Sequence, residues 1–575
     1  MQTQKNSRKV NTKRLIAYQS AAGIVFGLCG AIFASSSASS APITALYNII
    51  TVTSVTDKNP IGGKCTLREA VIATNTNTAV DGCVAGSAIL PDEIVFDPAT
   101  DGQPIVLDQI GPGEDAAATG DLDVTDQSLR IQGNGAGKTI IDGDLGDRVF
   151  HVLNNAHLDL HDLTIRNGAG VAHGGGVLSQ SGTSLSLTSV MVTKNAAANT
   201  GGASGGGIEA DGDFSMTTSF VVGNTVETKA QGVASGGGLY LAGTNPVNIS
   251  LSYVGNNTAT SAVDNAEAGG IARAGDLTLT DSAVTGNAVT AGINAYGGGI
   301  DMYSGVLALT RAELTNNMAQ STAASGFFVD GGGLNSGTGI ALINTTVAGN
   351  QAKGGEGGGI YLYGGSSTTI GSTIARNSAN IGGGIFVPGA QFHLSGSVLA
   401  DNTASVIAPD CGDGDGIGHV SADEYNLVGI SDGCTLSVNS ATNQIGSAAS
   451  PIDPKLGTLQ VIAGAPTPTQ VLPLLPGSPA IDAGDSILFT NGGTCYSPDQ
   501  VGTARPQDDN GDGTAACDIG AVEYVQQPAT SSGSGSSGGG AFGLLELCVL
   551  LGMALLAMFA RGRNQQKLNR AAKDD

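Results

Sequence analysis

Between residues 150 and 405 the apolar positions recur in short alternating runs, not at helical spacing. The stretches "LTLTDSAVTGN" (277–287), "LALTRAELTNN" (307–317) and "IALINTTVAGN" (340–350) share one pattern. An apolar residue is followed by four others, a branched apolar residue, two more and an asparagine. Runs of period two rich in Val, Ile, Thr and Ser predict strands. The asparagines are Asn195, Asn224, Asn257, Asn287, Asn317, Asn350, Asn377 and Asn402, spaced by 29, 33, 30, 30, 33, 27 and 25 residues. Self-similarity at that period marks a solenoid. One such coil holds three short strands and three turns, and coils stacked about 4.8 Å apart pair each strand with its equivalents above and below. The predicted fold is all-β, a single-stranded right-handed parallel β-helix.

A second element precedes the strands. Three small residues and an apolar one stand at Gly174–Val177, Gly205–Ile208, Gly236–Leu239, Ala268–Ile271, Gly297–Ile300, Gly331–Leu334, Gly357–Ile360 and Gly382–Ile385. Consecutive glycines maximise the backbone entropy lost on folding, so they mark sharp turns with positive φ or close approach of coils. The fourth residue is predicted to point into the core. The asparagines are predicted to take the left-handed conformation at another corner and to stack their amides in a ladder. Extra length in the longer coils, such as "TVETKAQGVAS", reads as loops on one flank.

A stack of strands needs caps at both ends. "CTLREAVIATN" (65–75) predicts a short helix with Thr66 as N-cap, Glu69 at N3, and Leu67, Ala70, Val71 and Ala73 for burial. It resembles the CSLREA motif at the start of many secreted bacterial β-helix proteins, with Thr66 in place of the serine. "SLRIQGNGAGKTIIDGD" and "LDLHDLTIRNG" look like the first coils of that class. Near the other end, "NLVG", "DPKLG", "LLPGSPAIDAGD" and "CDIGAVEY" resemble the choice-of-anchor Q domain. The glycine and asparagine elements are similar to repeats of polymorphic outer-membrane proteins, which favour GGA(I/L) and FxxN, on a pectin-lyase-like scaffold.

The ends read as addresses. Five basic and no acidic residues in the first 14 positions lead into "LIAYQSAAGIVFGLCGAIFA" and small residues, the pattern of a signal peptide cleaved after Ala38. An uncleaved anchor is the alternative. At the other end "SSGSGSSGGG" leads into an apolar stretch, Ala541 to Ala560, and a basic tail, enough to span a bilayer with the C-terminus in the cytoplasm. This tail resembles the GlyGly-CTERM sorting signals of Gram-negative bacteria. The resemblance implies export, transient anchoring in the inner membrane, cleavage near Gly538, Gly539 and Gly540 by a rhombosortase-type intramembrane protease, and delivery to the cell surface or medium. A permanent anchor is the alternative, although Glu546 within the span is costly. The organisation is thus a signal peptide (1–38), a CSLREA-type cap (46–130), β-helix repeats (131–405), a choice-of-anchor Q-like region (406–525), a linker (526–540), and a hydrophobic span with basic tail (541–575).

Between the basic ends, 15 basic residues face 46 acidic ones, a net charge of −31. Nucleic acid is excluded as a partner, because its phosphates would be repelled. Apart from Cys29 and Cys548, the cysteines form three close pairs, Cys65 with Cys83, Cys411 with Cys434 and Cys495 with Cys517, which suits an oxidising compartment. Six cysteines allow fifteen connectivities; the local one closes the shortest loops.

Chemistry is sparse. "QGNGAGKT" (132–139) lacks the first glycine of a phosphate-binding loop and reads as a turn. His157 and His161 share a strand face without an obvious third ligand. The outward position after each fourth apolar residue holds two acids, Glu209 and Asp301, too far apart for the paired carboxylates of glycoside cleavage. Glu209 and Asp211 are the best catalytic pair, with a solvated turn as the plainer reading. The chain has no tryptophan and no dense aromatic platform is visible. "DDNGDG" places Asp508, Asn510 and Asp512 as the opening ligands of a calcium loop; Ile519 stands where the closing glutamate belongs, so Asp518 or Glu523 is drawn in as a substitute, with a plain acidic turn as the alternative. The expected function is a non-catalytic surface or secreted β-helix protein that binds a surface, glycan or protein ligand; the alternative is a polysaccharide lyase or glycoside hydrolase.

Overall fold

A computed structural model of the chain describes residues 46–524, except 59–61, 110, 112, 415–417, 464 and 466–468. The signal segment, the Gly/Ser linker, the C-terminal span and Gly538–Gly540 lie outside the described residues. Among the described residues no helix is long and apolar enough to cross a membrane.

The fold is the predicted right-handed parallel β-helix. Sheet A runs through 14 strands from Asn48–Val52 to Leu436–Val438, sheet B through 11 from Leu122–Val124 to Cys411–Gly412, and sheet C through 13 from Pro104–Val106 to Gln444–Ile445. Asn48–Val52 pairs with Asp92–Phe96, so stacking starts inside the CSLREA-like segment. Helix α1, Leu67–Thr76, packs against these first strands; Thr66 and Glu69 close its capping box, and Leu67, Ala70, Val71 and Ala73 are buried. The fourth residues of the glycine elements, from Val177 to Ile385, stack in register and are fully buried.

The asparagines form the predicted ladder. Each side-chain amide donates to the Oδ1 of the next, from Asn195 to Asn402, and Asp410 ends the series by accepting from Asn402. The left-handed residue, however, is the one before each asparagine: Lys194, Gly223, Asn256, Gly286, Asn316, Gly349, Arg376 and Asp401 have positive φ. This turn residue tips the following asparagine inward, where its amide satisfies backbone groups that the corner frees.

The glycine triplet is explained by one coil. Gly205 has φ +61°, a Cβ on Gly206 would stand 2.4 Å from the carbonyl oxygens of Gly237 and Thr225, and one on Gly207 would stand 3.0 Å from the Asn224 amide nitrogen. The first glycine turns the chain, and the next two let it cross closely over the ladder.

The extra length of the longer coils is ordered, contrary to the loop reading. After each asparagine the chain runs out along sheet D, from Ala196–Asn199 to Thr403–Ile407, and returns along sheet E, from Ala203–Ser204 to Val329–Asp330. This forms a fin with a thin core of its own, in which Ala197, Ala234, Ala259 and Ala295 meet Val226 and Val289. Small residues suit two strands that lie close together, which is why the composition resembled loop.

A second ladder was not foreseen. Five residues before most of the asparagines stands a buried serine or threonine, whose hydroxyl accepts from the equivalent N–H of the preceding coil: Val190 to Ser219, Ser219 to Ser252, Ser252 to Ser282, then Ala312 to Thr345, Thr345 to Ser372 and Ser372 to Ser397.

All three local disulfides are formed, Cys65–Cys83, Cys411–Cys434 and Cys495–Cys517. The chain beyond the last coil folds back along the outer face of sheet C, where Ala348, Ala375, Val398 and Leu427 pack against Leu456, Leu472, Leu474 and Ile519.

Candidate functional site: a groove between fin and barrel

Where the fin meets the barrel, two outward columns converge in a re-entrant corner. In sheet B the residues after the fourth apolar positions, Glu209, Tyr240, Ala272, Asp301, Asn335, Tyr361 and Phe386, are register partners on successive coils. Facing them is the residue just before each triplet. Ser204, Ser235, Glu267, Tyr296 and Asp330 pair along sheet E, and isolated bridges extend this column to His173 at one end and to Glu356 and Ile381 at the other. Outward strand positions ordinarily meet water, but the corner buries or half-buries these. Glu209 is 6% exposed, Asp301 3%, Asn335 5% and Asp330 7%.

At one end of the groove, Glu209 Oε2 accepts from Ser204 Oγ at 2.6 Å and lies 3.1 Å from His173 Nδ1. The contact with Glu209 raises the pKa of His173 and so favours imidazolium. Ser204, His173 and Glu209 do not form a nucleophilic triad, since serine and carboxylate share the same ring nitrogen. Asp211 follows on the same side, its pKa raised by burial and by Glu209. An open pocket of about 350 Å³ lies here, lined by His173, Ser204, Ser235 and Tyr240 among others.

The middle of the groove holds more acid than the sequence reading allowed. Glu267 Oε2 accepts from Tyr303 Oη at 2.8 Å and from Ser235 Oγ at 3.1 Å. Asp301 accepts from Asn335 Nδ2 at 2.8 Å, and its pKa is pushed up to about 8 by burial and by Glu267. Asp330 and Glu356 are bridge partners on adjacent coils; burial and Glu356 push Asp330 up to about 7. Glu209 and Asp301 remain three coils apart, but the facing column supplies Glu267, Asp330 and Glu356 between and beyond them. An aromatic platform is present after all: the ring centre of Tyr361 lies 5.8 Å from that of Phe386 and 6.1 Å from that of Tyr363. Reading both residues that flank each triplet and apolar residue would have found the site.

These acids set a pH dependence. A carboxyl whose folded pKa exceeds its unfolded value keeps a proton that the unfolded chain releases, so its contribution to stability is full at low pH and is lost as pH rises through the folded value. Asp301 rises from 3.8 to about 8, and the buried Glu313, behind sheet C, from 4.5 to about 7. Thermal unfolding is expected at a higher temperature at pH 5 than at pH 8. Asp301→Asn is expected to narrow the gap; an unchanged gap would dissociate it from this acid.

The predicted calcium loop is rearranged. Asp508, Asn510 and Asp512 turn their oxygens onto backbone N–H groups of their own loop, at Gly511, Gly513, Asp512 and Thr514. Asp518 is not with them; it joins Asp482 and Asp509, with oxygens within 4.8 Å of one another. Asp482 and Asp518 also accept from backbone N–H groups, at Asp509 and Asn510 and at Asp482 and Tyr524, whereas Asp509 Oδ2 has no hydrogen-bond partner among the described residues. Carboxylate oxygens gathered this way are the donor type a hard cation takes. His157 and His161 sit on sheet A, where His161 Nε2 lies 2.8 Å from Asp159, and they gather no third ligand among the described residues. "QGNGAGKT" forms the turn after strand Leu129–Gln132, with Lys138 paired to Asp101 at 3.2 Å. Comparison with protein-family models, curated proteins and solved structures returned no match to this chain.

Proposed function

We propose that this chain is an exported protein, displayed on or released from the surface of a Gram-negative bacterium, that binds an elongated glycan in the groove between fin and barrel. The observation that carries the reading is the groove itself: two columns of polar and aromatic side chains, buried or half-buried at a re-entrant corner, continue coil after coil. The adjoining aromatic rings of Tyr361, Tyr363 and Phe386 are suited to sugar faces, and carboxylates and hydroxyls to sugar hydroxyls. Export rests on the signal-like start, the three cysteine pairs and the sorting-like tail, with the export machinery and a rhombosortase-type protease as processing partners. A structural calcium ion at Asp482, Asp509 and Asp518 belongs to the same proposal.

The test is retention of the mature exported protein on immobilised neutral, N-acetylated, acidic and amine-bearing oligosaccharides. Retention by at least one class is expected, weakened about tenfold by Tyr361→Ala, the weight of one lost aromatic stacking contact. Retention by none, or retention indifferent to Tyr361, removes the reading. A second reading, glycoside hydrolysis, is favoured by Asp330 and Glu356 on adjacent coils, about one strand spacing apart. Release of reducing ends that stops in Asp330→Asn would establish it in place of simple binding.

A further inference from the structure

We propose that the groove recognises its glycan through a protonated amine, seated among Glu267, Asp301, Asp330, Glu356 and Asn335 beside the ring of Tyr361. The inference rests on the glycan-binding reading and narrows it to amino sugars that carry a free amine.

Charge is the first ground. From Ser235 to Phe386 the two facing columns hold four acids, Glu267, Asp301, Asp330 and Glu356, and no lysine, arginine or histidine. The nearest arginine on the same strands, Arg273, points into the barrel and is spent on the carbonyls of Leu241, Gly243, Asn245 and Asp276. Like charges on neighbouring coils with no counter-charge are costly to hold together. A uronic-acid polymer would add to that repulsion, whereas a cation relieves it. Burial and neighbouring acids hold Asp301 and Asp330 above the usual carboxylate range, as expected of acids without a positive partner.

The second ground is an unmet acceptor. Asn335 lies between Asp301 and Tyr361 in the sheet B column and is 5% exposed. Its Nδ2 is used by Asp301, but its Oδ1 has no hydrogen-bond partner among the described residues. A buried carbonyl in that state is costly and calls for a donor. An ammonium brings three N–H donors and no acceptor, which suits one amide oxygen flanked by carboxylates. A hard metal would use the carboxylates but would leave the aromatic rings without a role.

The third ground is the aromatic side. Tyr361 stands in register between Asn335 and Phe386, and burial together with the charges of Asp330 and Glu356 raises its phenol pKa. An amino sugar presents an apolar ring face and an ammonium side by side, to match a tyrosine ring adjoining carboxylates.

Titration of the mature exported protein with a glucosamine oligosaccharide and with its fully N-acetylated counterpart, followed by calorimetry and by tyrosine emission, decides the matter. The free-amine oligosaccharide is expected to bind at least about tenfold more tightly. Asp330→Asn with Glu356→Gln is expected to abolish that preference, and Asn335→Leu to weaken it, while thermal unfolding stays cooperative. Equal affinity for both sugars would overturn the amine and leave the glycan groove standing. Binding of neither sugar would overturn the amine, and would overturn the glycan groove with it where the immobilised neutral and acidic oligosaccharides are not retained either.

Discussion

Arg68→Ala is expected to remove about 3–5 kcal/mol of stability, the cost of stranding one partner of a buried ion pair. Arg68 has no exposed surface, and each of its five N–H donors is engaged. Nε donates to Asp57 Oδ1 at 2.7 Å, Nη2 to Asp57 Oδ2 at 3.0 Å and to the Gly120 carbonyl at 2.7 Å, and Nη1 to the carbonyls of Ala117 and Asp121 at 3.0 and 3.1 Å. One side chain therefore ties helix α1 to the chain before it and to the chain that enters the first strand of sheet B. Alanine leaves the Asp57 carboxylate buried without its cation and three carbonyls without donors. Arg68→Lys is expected to lose most of the same stability, since an ammonium cannot reproduce the planar fork. Replacing both residues by apolar ones of similar volume is expected to recover much of it. Urea unfolding of the mature protein, with limited proteolysis to locate the first cut, reads both quantities. A loss under about 1 kcal/mol, or a first cut far from residues 46–124, would show that this ion pair does not hold the end of the stack.

Much of the architecture was legible because a solenoid writes the same physical demand many times. The spacing of Asn195 through Asn402 recurs unchanged in the amide-to-amide bonds, and the apolar fourth residues lie in the core as a period-two strand requires. Misplacing the left-handed residue by one position has a simple cause. Asn256 and Asn316 do take positive φ, and in "NN" and "GN" pairs the sequence does not say which member turns and which is buried. The fin was hidden because Ala, Thr and Ser are both the composition of loops and the small residues that a thin two-stranded layer needs. The groove was hidden for a different reason: its walls are set by the fold-back of the fin onto the barrel, and this brings together Glu267 and Asp301, which are 34 residues apart in the chain. The sheet B column read singly shows only isolated acids, and the column before the triplets, which carries Asp330 and Glu356 on adjacent coils, lies outside that reading. Their burial comes from the corner, which no local pattern encodes.

Asn287→Ala is expected to cost about 3–5 kcal/mol, from the middle of the ladder outward. Asn287 is fully buried; its Nδ2 donates to the Val254 carbonyl and to Asn317 Oδ1, and its Oδ1 accepts from the backbone and side-chain nitrogens of Asn257, each at 3.0 Å. Alanine removes four hydrogen bonds and leaves their partners in a dry interior at roughly 1–3 kcal/mol each, less what relaxation recovers. Gly270 and Gly299 close over the ladder, where a Cβ on Gly270 would stand 3.0 Å from the Asn287 amide nitrogen, and a water that enters the vacated site restores only part of the four bonds. Asn287→Asp keeps the shape but removes both donors and buries an acid, so it is expected to be at least as damaging above the pKa of that acid. Position matters too. Asn195, at the start of the series, makes a longer bond of 3.4 Å to Ile165 and has no preceding asparagine to support, so Asn195→Ala is expected to cost less. In a stack where each coil contacts only its neighbours, a central lesion uncouples the two halves. Denaturation of Asn287→Ala is therefore expected to split into two transitions while that of Asn195→Ala stays single; equal costs and single transitions in both would mean that the strands, and not the amides, hold the coils together.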